Sequence, residues 1–204
     1  MNSMSRAASL LAIVMAACLA GGQAQPQAAA PASPASASQP SDQLAALVKQ
    51  QFGPTFSLPA KFPTPVITAD FDSDGVEDIA IVASSSEPMP DSFAFKYQVM
   101  DPYNGYFGMS NPAMSLAFRV PDPQRNHFLL VIFGVKGEGW RAATPKAKFV
   151  IVNVPFDSIS VGRLLVKKKK PPIFVIKALE TELMESAVYW DGKKWKWEPG
   201  NMAE

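Results

Sequence analysis

The 204-residue chain has one cysteine, Cys18, and one histidine, His127. No disulfide can close within it. A zinc site built from cysteine and histidine lacks its ligands, and a nucleophile–base pair lacks its partners. Ser84-Ser85-Ser86 has no nucleophile-elbow context. Glu180, Glu182 and Glu185 are spaced as in a solvated segment and are not marked as an acid–base pair. A net charge of +1 gives no electrostatic footprint for nucleic acid. No segment recurs along the chain. The clearest early apolar run, Leu10 to Ala20, is too short to span a bilayer as a helix. Catalysis has no visible constellation, so a non-enzymatic protein is expected.

What is present begins at the N-terminus. Arg6 precedes the apolar run, and small residues continue to Ala24, the pattern of a secretory signal peptide over 1–24. The stretch Val14-Met15-Ala16-Ala17-Cys18 resembles a bacterial lipoprotein box, with Met15 where leucine is usual. That resemblance implies lipidation at Cys18 and a membrane-anchored lipoprotein; the signal-peptide reading implies cleavage near Ala24 and a secreted or periplasmic protein. Both routes stay open. Residues 25–40 are Pro, Ala, Ser and Gln without charge or aromatics. Such a segment buries too little apolar surface to offset its ordering entropy, so it reads as a disordered linker. The remainder, 41–200, is the size of one domain. Within it, Lys167 to Lys170 reads as a solvated run that keeps a sheet edge from pairing, rather than as a patch for an anionic polymer or lipid headgroup.

The spacing of Leu44, Leu47, Val48 and Phe52 predicts a helix from Ser41, with Ser41 as cap, ending at Gly53-Pro54. Strands are expected at Val66-Ile67, Glu77 to Ala83, His127 to Val135, Lys148 to Val154, Val161 to Val166 and Ile173 to Leu179. Ala94 to Met100 is a further candidate strand, and Asp101 to Gly105 has turn chemistry. Asp191-Gly192 marks a C-terminal hairpin. A two-residue loop there sets Val188 opposite Trp195; a four-residue loop sets Trp190 opposite Trp195. Either register puts Val188, Trp190, Trp195 and Trp197 on one face. The expected fold is α+β and β-rich: a mainly antiparallel sheet, a short N-terminal helix and a C-terminal Trp hairpin.

The densest chemistry lies in Asp70-Phe71-Asp72-Ser73-Asp74-Gly75-Val76-Glu77-Asp78. Counted from Asp70, carboxylates fall at positions 1, 3, 5 and 9, with glycine at position 6. Alternate side chains of a curled loop converge, and hard oxygen donors suit calcium. Without a cation such carboxylates repel and raise one another's pKa values. Position 12 is Ile81, so the bidentate glutamate of a helix–loop–helix calcium sensor is missing. The loop followed by Asp78-Ile79-Ala80-Ile81-Val82-Ala83 resembles the D-x-D-x-D-G-x-x-D loop of FG-GAP, VCBS-like and related secreted repeats, over about fifteen residues. That resemblance implies calcium held by Asp70, Asp72, Asp74, the Val76 carbonyl and Asp78. A single copy does not imply the propeller that repeated copies build.

The Trp face admits two readings. Trp190 and Trp195, with Tyr103 and Tyr106, form a sugar-stacking platform, or they bury their large surfaces in the core. Three functions follow: a calcium-stabilised binding or envelope structural module, a carbohydrate-binding or carbohydrate-active protein, or an envelope lipoprotein that assembles with partner proteins.

Overall fold

Hydrophobic runs with no polar alternation require strands covered on both faces, and three such strands form the centre of the molecule. The computed structural model describes residues 40–85, 90–109, 127–166, 171–181 and 184–200, with the side chains of Pro40 and Ser41 left out. The expected signal peptide and linker, Cys18, Lys167–Lys170, Glu182 and the expected Ser41 side-chain cap lie outside the described residues.

Strands β1 (Phe56–Ser57), β2 (Val66–Ala69), β3 (Asp78–Ser85), β4 (Gln98–Met100), β5 (His127–Phe133) and β6 (Ala147–Ile151) make one sheet. Its order is β1-β3-β5-β6-β4, and β2 also pairs with β3. All pairs are antiparallel except β4 with β6. Strands β7 (Ser158–Leu164), β8 (Ile173–Thr181), β9 (Met184–Trp190) and β10 (Trp195–Pro199) form a second sheet in the order β10-β9-β8-β7. The expected β-rich α+β class is the observed one. The split into two sheets was not foreseen, because alternation within a strand says which residues share a face and not which sheet the strand joins.

Side chains sort with period two. Ala80, Val82, Leu129, Val131, Phe133, Phe149 and Ile151 turn toward Ile176, Ala178, Val188 and Trp195 of the second sheet. The intervening Ile79, Ile81, Ala83, Leu130, Ile132 and Val150 turn the other way, to a core shared with Val48 and Phe52 of helix α1 (Pro40–Phe52). The molecule is thus layered: helix, sheet, sheet. Helix α1 ends at Gly53, whose φ of +99° sets the left-handed turn and whose N–H reaches the Lys49 carbonyl at 3.1 Å.

Two local expectations change. Ala94 to Met100 is not one strand: helix α2 (Ser92–Phe95) closes at Lys96 in the left-handed region, and only β4 remains extended. Asp101 to Gly105 is not a simple turn but the start of helix α3 (Pro102–Tyr106). Asp101 caps it, accepting from the Asn104 N–H at 3.0 Å, and proline at the first position suits a helix start. At the C-terminus the four-residue loop holds: Trp195 pairs with Trp190. Among the described residues no helix is long and apolar enough to cross a membrane.

Candidate metal centre

The acidic loop connects β2 to β3, which are antiparallel neighbours with Ala69 opposite Asp78. Pairing of those two residues brings the ends of the loop together, so Asp70 and Asp78 must lie close. Between them the chain curls through Ser73 at φ +62° and Gly75 at φ +84°. Gly75 takes this conformation without steric cost.

The loop carboxylates first organise the loop itself. Asp70 accepts from the N–H groups of Asp74 (3.0 Å) and Gly75 (2.9 Å). Asp72 also accepts from Asp74 N–H (3.2 Å), and Asp74 from Val76 N–H (2.9 Å). Short side chains bonding to backbone two residues ahead are a turn-forming device. Asp78 is fully buried and accepts three backbone N–H groups: Phe71 (2.8 Å), Asp72 (3.3 Å) and Gly134 (2.8 Å). It therefore clasps both arms of the loop and the end of β5. Gly134 is required at that contact, since a Cβ there would fall 2.4 Å from the Glu77 carbonyl oxygen.

Carboxylate oxygens of Asp70, Asp72 and Asp78 all lie within 4.8 Å of one another, a group able to hold a metal ion. The donor set is hard oxygen only, which fits a hard divalent cation. Burial pushes the Asp78 carboxyl up to about 7, outweighing its hydrogen bonds from Gly134 and Phe71. Burial likewise raises Asp72. Positive charge at this point would relieve both.

Asp74 stands apart from that trio. The Lys146 ammonium lies 2.6 Å from Asp72 Oδ2 and 2.6 Å from Asp74 Oδ2. Its hydrogen bond holds Asp74 below the usual carboxylate range, against the expectation that all loop acids raise one another, and the two carboxylates raise Lys146 in turn. Sequence reasoning missed both Lys146 and Gly134. They are distant in the chain and arrive through sheet register: Ile79 pairs with Ile132, and Phe133 with Ala147, so the end of β5 and the start of β6 flank the loop. No local spacing carried that signal. Glu77 points elsewhere and accepts from the Trp140 indole N–H at 3.1 Å.

Trp195 is 2% exposed and Trp190 half-buried; their rings pack on Phe133 and Phe149, so this part of the Trp face is core. The aromatic group with exposed members is centred on Trp197, with Tyr103 at 4.9 Å and Tyr106 at 5.1 Å between ring centroids. His127 opens β5 and packs against Phe62 and Phe156, whose rings also meet each other. Glu185 pairs with Lys177 at 2.7 Å on the second sheet. Compared with known proteins, the chain matches no family model, no curated protein and no solved structure.

Proposed function

We propose that this chain is an exported, non-enzymatic module, secreted or periplasmic, whose domain is stabilised by calcium and acts in binding or envelope structure. The observation that carries the reading is the convergence of Asp70, Asp72 and Asp78 where the loop enters β3. These three hold the ion in this reading, with Asp74 and the Val76 carbonyl completing an oxygen set as in the FG-GAP-type loop. Lys146 then serves as the resident counter-charge when calcium is scarce. Extracellular calcium modules of this sort bind at about 10⁻⁴ to 10⁻³ M, a range suited to a structural staple. Isothermal calorimetry tests it. Calcium should bind the wild type in that range and lose most of its heat in Asp72→Ala; equal heats in both proteins would remove this loop from the account.

A second reading is a carbohydrate binder. A groove of about 580 Å³ runs between α3 and β10, lined by Tyr106 and Trp197 together with Lys196 and Glu198. Aromatic faces beside polar groups suit sugar rings. Trp197→Ala should abolish any fluorescence response to a glycan panel. A response that survives this change would place the binding elsewhere, and no response in the wild type would end this reading.

A further inference from the structure

A second groove, of about 950 Å³, lies between α1 and the adjoining sheet. Leu44 and Leu47 of α1, Leu58, Val66, Ile79 and Trp140 give it apolar walls. Ile79 is buried, while the other five are only partly buried against the helix-side core. Arg141 is the one charged residue among those lining the groove. It is exposed, and its guanidinium carbon sits 3.9 Å from the Trp140 ring centroid. Among the described residues no carboxylate pairs with it. Stacking holds a guanidinium flat against the indole and leaves its N–H edge free to meet an anion. The indole is itself oriented by its bond to Glu77.

The complement of this surface is specific in kind. Apolar walls call for a hydrocarbon chain, and a cation with no carboxylate partner among the described residues calls for one negative charge at the end of that chain. A polyanion would leave the walls unused, and a neutral apolar ligand would leave Arg141 unused. We propose that this groove binds a single-chain amphiphile with an anionic head, its acyl or alkyl chain along Leu44, Leu47 and Leu58 and its head on Arg141. The proposal does not depend on calcium in the acidic loop.

Calorimetry on the full chain, with dodecanoate, dodecyl phosphate and dodecanol each kept monomeric, tests it. At least one of the two anions should bind, and more tightly than dodecanol. Arg141→Gln should weaken the anion about tenfold, the loss of one charge-assisted contact, and leave dodecanol unchanged. Ala46→Trp, at an exposed helix position lining the groove, should block all three ligands while the melting temperature stays near wild type. The tighter of the two anions identifies the head group as carboxylate or phosphate. Failure of both anions to bind, binding unaffected by Ala46→Trp, or dodecanol binding as tightly as the anions with no effect of Arg141→Gln would each overturn the proposal.

Discussion

At Asp78, burial and hydrogen bonding oppose each other. Three backbone N–H groups favour the carboxylate, yet burial places its pKa at about 7. Asp78→Ala leaves the buried N–H groups of Phe71 and Gly134 without an acceptor, so it should cost about 3 kcal/mol, read as a shifted urea midpoint. A loss below about 0.5 kcal/mol, within the range of an ordinary surface change, would deny it the clasp role. Lys146 acts in the opposite sense. Its ammonium neutralises Asp72 and Asp74, so Lys146→Met should lower stability in calcium-free buffer. The pair is partly solvated, which limits that loss to about 0.5–1 kcal/mol. The same change should tighten calcium binding several-fold, since the ion no longer displaces a resident cation. Weaker binding would contradict competition. His127 gives a pH prediction free of other histidines. Burial lowers its pKa below the ordinary 6.5, so the unfolded chain takes up this proton first as pH falls. The contribution of the neutral ring is whole above about pH 6.5 and declines as pH drops through the folded pKa. As pH falls, Asp78, raised to about 7, gains stability over the same range in both proteins, so the test is the difference: between pH 7.5 and 5.5 thermal melts should show wild type losing more, or gaining less, than His127→Phe.

At the scale of elements, what was legible tracks where the information resides. The helix of residues 40–52 was readable from its apolar spacing, and the runs that became β3, β5, β6 and β8 from their short unbroken stretches of Val, Ile, Leu and Phe; both signals are local and strong. The curl at Asp70–Asp78 was readable because glycine and alternating aspartates act within a few residues of themselves. Two short pieces were not: β1 has only Phe56 and Ser57, and α2 only Ser92 to Phe95, too few residues to show a period. The register of the C-terminal hairpin was open between two loops, and the four-residue one is stabilised by Asp191 accepting from Lys193 N–H (2.8 Å) and Lys194 N–H (2.9 Å). Lys146 was invisible because sheet order, a long-range property, delivers it. The hairpin is an energetic anchor: Trp195→Ala should destabilise by about 3–5 kcal/mol as a buried aromatic truncation. Trp197→Ala should cost clearly less, since that ring is only partly buried. Equal costs would mean the two positions do not differ in burial as described.

For the whole molecule, the acidic loop occupies a place where a small local force has wide reach. Asp78 joins the loop to β5, and Lys146 joins it to the segment entering β6, so the strands that separate the two cores meet at this point. An ion here would fasten the first sheet at one end, which accords with a staple that adds stability rather than a switch that moves a domain. At ten times its dissociation constant such an ion contributes roughly 1.4 kcal/mol. In a domain of this size that corresponds to a rise of roughly 3–6 °C in melting temperature.

The most direct measurement is the thermal midpoint of wild type and Asp70→Asn in EDTA and in 10 mM calcium chloride, with magnesium at equal ionic strength as control. A calcium-specific rise is expected in the wild type and none in Asp70→Asn. Identical midpoints with and without calcium in the wild type would mean that Lys146 alone balances these acids and that no metal belongs to the fold.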